Sequence, residues 1–287
     1  MPAPKLRESM AQRKFDCRDL RLKGWRIGLS YQTILVAENE GVRTITLNRP
    51  ERRNALTPEM QLELIAAMEE ASAGSARVVV LRGAGDAFCS GLDLSALQNM
   101  SDKSAADHRA DAERIARLFR TLHELPRPTI ASVHGAAIAG GTGLATLCDF
   151  TLAVPAAKFG YTEARIGFVP AIVSAFLALQ IGDKRARDLL LTGRFFDAAE
   201  ACRLGLVNEI VQPDALEERV LALAQILAAN SPESQAATKR LLAAQNKTWL
   251  DAAIALAMEA NARSRETPDF KEGVAAFLEK RKPLWVK

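Results

Sequence analysis

Two features of this 287-residue chain could do chemistry together. One is the glycine-rich run Ala139-Gly140-Gly141-Thr142-Gly143; the other is Glu163, twenty residues past Gly143. Glycines in a turn let a backbone come close to a ligand and take dihedrals closed to other residues. A helix starting at such a turn aims unpaired N–H groups and the positive end of its dipole at whatever lies in front. That suits a phosphate, a carboxylate or a developing oxyanion. Glu163 lies among mostly small and apolar neighbours. An anion-binding turn with one placed carboxylate is a minimal set for proton chemistry beside a carbonyl. The nucleotide readings of the turn fare worse. Gly135 and Gly140-Gly141-Thr142 approach a phosphate loop, but Gly141 stands where the lysine belongs, and no Gly-x-Gly-x-x-Gly occurs in this stretch. A turn that only permits tight helix–sheet packing is the structural alternative.

The elements that must position these residues are legible around them. The β-branched start Thr129, Ile130, Val133 predicts a buried strand, followed by the turn and a short apolar helix ending near Asp149. Upstream, 33–38 and 42–47 alternate as paired strands around Asn39-Glu40-Gly41, and Thr57-Pro58 caps a helix with Met60, Leu64 and Met68 on its buried face. Residues 78–81 predict a short buried strand leading to the tight turn Gly83-Ala84-Gly85. Residues 95–108 are polar and weakly periodic, which predicts a mobile segment, and an amphipathic helix follows over 111–125. Later helices are expected at 172–181, 183–191, 216–229, 232–244, 250–264 and 268–280, with a late strand at 207–211.

In this order the chain resembles the enoyl-CoA hydratase/isomerase (crotonase) family. The likeness rests on Leu47-Asn48-Arg49-Pro50 with Asn54-Ala55-Leu56, then Ala87-Phe88-Cys89-Ser90-Gly91-Leu92-Asp93-Leu94. It continues through Pro128-Thr129-Ile130-Ala131, Gly135, Ala139-Gly140-Gly141, Cys148-Asp149, Lys158-Phe159-Gly160, Glu163 and Gly167, and closes with Glu272-Gly273 and Phe277-x-Glu279-Lys280-Arg281. The resemblance implies an α/β fold: a crotonase-like spiral of repeated ββα units over 30–211, with CoA site, then a C-terminal helical trimerisation region over 212–287. It implies an enzyme that stabilises a thioester enolate. The matching oxyanion-hole donors are the backbone N–H groups of Leu92 and Gly140, each worth roughly 3–4 kcal/mol at a developing oxyanion. Glu163 matches the acid/base position. Arg52, Ala87, Phe277 and Lys280 match positions around CoA, with Arg49 and Arg53 as further charge at the same mouth. No cofactor beyond the CoA of the substrate and no metal is expected.

The departure is at Gly143. Hydratases of this family usually carry a second glutamate there, and glycine has no side chain to move a proton, so this substrate-pocket position is expected to leave a gap. Hydration of a 2-enoyl-CoA, branched or carrying a second carboxylate, is the leading expectation. The run Thr162–Val169 looks nearer the methylglutaconyl-CoA hydratase type. Double-bond isomerisation by Glu163 alone is the close alternative, and a CoA- or RNA-binding member without efficient catalysis is the alternative of another class.

Composition sets the remaining bounds. The chain is 48% hydrophobic and 25% charged, with a net charge of +4, ordinary globular values that do not by themselves point to nucleic acid. Cys17, Cys89, Cys148 and Cys202 form no CxxC and predict reduced thiols in a cytoplasmic protein. A nucleophilic Cys89 would need a base that the sequence does not name. Residues 1–29 are basic without a following apolar core, and are expected to be a poorly ordered extension. No apolar run is long enough to span a membrane. His134 is expected to make a structural hydrogen bond, and His108 and His123 to be surface or packing residues. A homotrimer, or a dimer of trimers, is the assembly the resemblance implies.

Overall fold

The computed structural model describes residues 31–93 and 103–286, with the backbone of Arg26–Ile27. Two sheets carry the chain. Among the described residues, the larger has seven strands, in the order β1 (Arg26–Ile27), β2 (Ile34–Asn39), β3 (Val42–Leu47), β4 (Val78–Gly83), β6 (Thr129–Val133), β8 (Phe150–Ala153) and β11 (Glu209–Ile210). The smaller has four, in the order β10 (Phe195–Asp197), β9 (Lys158–Gly160), β7 (Ala136–Ile138) and β5 (Ala87–Cys89). β1, β2 and β3 pair antiparallel; from β3 to β11 the larger sheet is parallel.

The expected spiral is visible in the succession of strands. β4 leads to β5, β6 to β7 and β8 to β9, so each turn lays one parallel strand in each sheet before a helix follows. The near-continuous Val78–Leu81 run suits a strand buried on both faces, and all four residues are buried. Helix α1 (Pro58–Ala73) starts as its sequence predicts: the Thr57 hydroxyl accepts from the Met60 N–H, with proline at the first position. Of its apolar residues, Ile65 is buried and Leu62 is exposed.

Helix α2 (Ala105–Glu124) begins six residues before the predicted 111. A capping box starts it: Ser104 Oγ accepts from the Asp107 N–H, and Asp107 accepts from the Ser104 N–H. The cap explains why a polar first turn is nevertheless helical. Residues 95–102 of the expected mobile segment lie outside the described residues, as does all of the N-terminal extension except the Arg26–Ile27 strand, which pairs with Glu38 and Ala37.

The remaining helices are α3 (Gly140–Leu147), α4 (Ala171–Ile181), α5 (Asp183–Thr192), α6 (Ala198–Arg203), α7 (Leu216–Ala229), α8 (Pro232–Ser264) and α9 (Pro268–Leu278). Here the structure corrects three boundaries. The two helices expected at 232–244 and 250–264 are one helix of 33 residues, because the polar stretch between them is solvated, not broken. The strand expected at 207–211 shrinks to two residues, and the last helix ends at Leu278 instead of 280. α8 packs on α2 and α4, and α7 on β4 and β6, so helices past residue 212 close the same core that the spiral begins.

Candidate active site

A cavity of about 720 Å³ opens between the two glycine turns, Glu163 and the C-terminal helix. Its first wall is the turn before α3. Ala139, at the N-cap, sits at φ 53°, ψ −122°, a conformation open to glycine and strained for alanine. Neighbouring bonds hold it there. The Ala139 N–H donates to Gly160 O at 2.6 Å, the Thr142 hydroxyl donates to Ala137 O at 2.6 Å, and Thr142 Oγ1 accepts from the Gly160 N–H at 3.1 Å. The start of α3 is thereby clamped to β7 and to β9, the strand that runs on into Glu163.

The second wall is the turn after β5. The Leu56 N–H donates to Gly91 O (2.7 Å), and the Asp93 N–H donates to Leu56 O (3.1 Å). Peptide groups alternate sides along an extended segment, so the Leu92 N–H turns away from Leu56. Neither the Leu92 nor the Gly140 N–H has a backbone acceptor among the described residues, and both residues line the cavity. Gly91 brings the two together. It sits at φ 88°, and a Cβ there would lie 2.9 Å from Ala139 Cβ and 3.6 Å from the Gly140 nitrogen. Two free N–H donors beside a helix N-terminus make an anion-stabilising pocket.

Glu163 opens a short 3-10 turn, Glu163–Ile166, and is buried at 9% exposure. Its Oε2 has no hydrogen-bond partner. Burial pushes its carboxyl up to about 7, only partly countered by its own N–H. The other carboxyls on the cavity differ: Asp93 is held by Arg49 at 2.8 Å, and Glu51 is exposed. A carboxyl that is half ionised near neutral pH, with one oxygen free of partners, can both take and give a proton.

The sequence-predicted residues divide as follows. Leu92, Gly140, Glu163, Arg52 and Phe277 all line the cavity, as does Arg53. Ala87, Gly143 and Lys280 do not. Ala87 is buried in β5, its carbonyl accepting from Asn54 Nδ2 at 2.8 Å. Lys280 is exposed, past the end of α9, while its neighbour Arg281 reaches the lining and pairs with Glu272. Arg49 serves the loop instead of the mouth, binding Ala55 O and Asp93. The expected gap at Gly143 is not empty: Phe119 and Val173 fill it. His134 makes its structural bond, Nε2 to Gly85 O at 2.8 Å, and His108 is buried. Burial pushes the Cys89 thiol up to about 12, which leaves no thiolate for nucleophilic work.

Sequence reasoning missed Arg165, whose guanidinium lies 4.7 Å over the Phe195 ring, and the wall residues Phe119 and Val173. The only trace of Phe119 was its place on an amphipathic face, which reads the same whether it meets core or cavity. Among the described residues no cluster of His, Cys, Asp and Glu could hold a metal ion, and no helix is long and apolar enough to cross a membrane.

A spiral of paired parallel strands around a backbone-lined anion pocket and one buried carboxyl is an arrangement suited to proton chemistry beside a carbonyl, and comparison with known proteins shows the family. Residues 37–287 match the family model described as enoyl-CoA hydratase/isomerase. A protein of Thermus thermophilus named as an enoyl-CoA hydratase is 46% identical over 247 residues, 86% of this chain and 98% of its own length. The crotonyl-CoA hydratase of Syntrophomonas wolfei is 34% identical over 265 residues, 90% of this chain and 99% of its own. The crystal structure of an enoyl-CoA hydratase/isomerase from Xanthobacter autotrophicus matches with a TM-score of 0.81 at 34% identity, covering 88% of this chain and 98% of that one. The chain belongs to the enoyl-CoA hydratase/isomerase family and has the crotonase fold. These relatives give no specific support to the methylglutaconyl-CoA type.

Proposed function

We propose that the protein adds water reversibly across the C2–C3 double bond of a 2-enoyl-CoA. The observation that carries this reading is the buried Glu163, unpartnered at Oε2, in one cavity with the free N–H groups of Leu92 and Gly140. The thioester oxygen accepts from those two donors. Glu163, as carboxylate, takes a proton from water as the water oxygen bonds to C3. The C2–C3 π electrons move toward the thioester oxygen, giving an enolate that the two N–H groups stabilise. The proton on Glu163 then passes to C2, the enolate collapses to the thioester, and the carboxylate is restored. Arg52 and Arg53, exposed residues of the cavity lining, supply positive charge for the phosphates of CoA, and Phe277 lines the same cavity.

The test is turnover of 2-enoyl-CoA substrates in heavy-oxygen water. Heavy oxygen in the product is expected with wild type, and Glu163→Gln should lose 10²–10⁴-fold in kcat while still binding CoA. Equal turnover by wild type and Glu163→Gln would sink the reading. One observation favours a second reading, the lack of a carboxyl at position 143. Glu163 alone could carry a proton between C2 and C4 of a 3-enoyl-CoA. That reaction would give 2-enoyl-CoA with no heavy oxygen incorporated.

Assembly as a trimer or a dimer of trimers is part of the same reading. Leu241, Leu242, Trp249 and Leu256 are exposed on α8, more apolar surface than a solvated helix needs. Lys280, outside its own chain's cavity, would meet CoA only in a neighbouring subunit.

A further inference from the structure

Helices α2 and α4 close the cavity against position 143. Gly143 lies on α3, one turn past Gly140. A Cβ built on it would come within 2.6 Å of Phe119 Cε1, 2.7 Å of Val173 Cγ1 and 2.9 Å of Phe119 Cζ. Neither neighbour has room to retreat. Phe119 is 1% exposed and its ring packs 6.1 Å from that of Phe176. Val173 is buried and β-branched, with no long side chain to swing. Phe119 and Val173 themselves line the cavity, with Ile115, Leu118 and Ile172 beside them. No cation among the described lining residues comes from α2 or α4; Arg52, Arg53, Arg165 and Arg281 all come from other segments.

We propose that Phe119 and Val173 are specificity-determining residues. They hold the volume that any side chain at position 143 would need, and they face the substrate with an apolar wall that selects a hydrocarbon acyl chain over one ending in a carboxylate. The selection rests on the acyl-CoA reading above; the occupancy of the volume does not. A carboxylate against this wall would lose its water and meet no cation on α2 or α4, whereas a methyl branch would meet apolar side chains.

Two measurements test it. The first is kcat/KM for crotonyl-CoA, 2-methyl-2-butenoyl-CoA and a 2-enoyl-CoA ending in a carboxylate. Wild type should favour the apolar substrates at least tenfold over the carboxylated one, and Phe119→Ala should shift the preference toward bulkier apolar chains by about tenfold or more. A wild type that takes the carboxylated substrate as well as the others, or a Phe119→Ala selectivity within twofold of wild type, would overturn the selection.

The second is a thermal cycle of Gly143→Ala, Phe119→Ala and the double variant. Gly143→Ala alone should lower the Tm although alanine favours helix, and should lower it less in the Phe119→Ala background, where only the Val173 contact remains. An unchanged Tm for Gly143→Ala, or additive effects, would overturn the occupancy. If wild type turns over no substrate of the panel, the acyl-CoA reading and the selection fall together, and the thermal cycle still decides the occupancy.

Discussion

At Glu163 one physical fact, removal from water, sets both reactivity and a stability cost. The reaction starts from the carboxylate, and burial has moved its titration up to about 7. The kcat/KM of the free enzyme is therefore expected to fall about tenfold per pH unit below that value, and a flat profile from pH 5 to 8 would remove Glu163 from the rate-limiting chemistry. The same shift sets a stability change. The folded chain keeps this proton at pH values where the unfolded chain, with an ordinary carboxyl near 4.5, has lost it. The folded-state advantage is complete below about 4.5, declines as pH rises, and is gone above about 7; the full span is about 3 kcal/mol. Relative to wild type, Glu163→Gln should gain stability across that interval and keep the gain at pH 8. Denaturant unfolding at pH 4, 6 and 8 measures it, and a constant difference at the three values would contradict the buried titration.

The secondary-structure elements show what could be read in advance and what could not. The strands at 34–39, 42–47, 78–83 and 129–133 and the glycine turn were legible, because periodicity and glycine spacing are local properties of a chain, whereas the acid/base position of Glu163 came from the family resemblance. Local pattern says that Phe119 is on an apolar face; it does not say that this face fills the space before Gly143, which depends on how α2, α3 and α4 meet. The long α8 was misread for a related reason: its polar middle looks like a loop, and only its packed ends show that the helix continues. Lys280 and Arg281 are adjacent in sequence, and the positive φ of 56° at Lys280 turns the chain so that Arg281 reaches the cavity. The oxyanion turn gives the prediction for this scale. Gly91→Ala would push a methyl into Ala139 and part the Leu92 and Gly140 N–H groups, with an expected kcat loss on the order of 10²–10³. Ala139→Gly, in contrast, should keep activity and leave stability unchanged or raised, since glycine takes φ 53° without strain. Steady-state kinetics of the two variants side by side checks both; equal losses would mean the turn is not held as described.

For the molecule as a whole, the decisive seam is between α8 and the helices it covers. Arg265, at the end of α8, is fully buried, with Nη1 3.1 Å from Asp111 Oδ2 on α2 and Nη2 2.8 Å from Asn261 Oδ1. Arg120 reaches Asp251 at 2.6 Å, and Lys239 ties α8 to Asp149. Arg265→Ala removes one partner of a buried ion pair and is expected to cost about 3 kcal/mol or more, read by denaturant unfolding; a loss under 1 kcal/mol would show that Arg114 and Lys103 hold Asp111 without it. The seam also ties the substrate wall to the order in which the chain is made. Asp111 and Arg265 are 154 residues apart, so α2, with Phe119 on it, leaves the ribosome long before α8 exists to cover it. At typical synthesis rates the wait is on the order of ten seconds. For that interval the face of α2 that α8 covers is open to solvent, joined by that of α4 once residues 171–181 are made, and the nascent chain is most exposed to aggregation or to capture by chaperones just before α8 is translated.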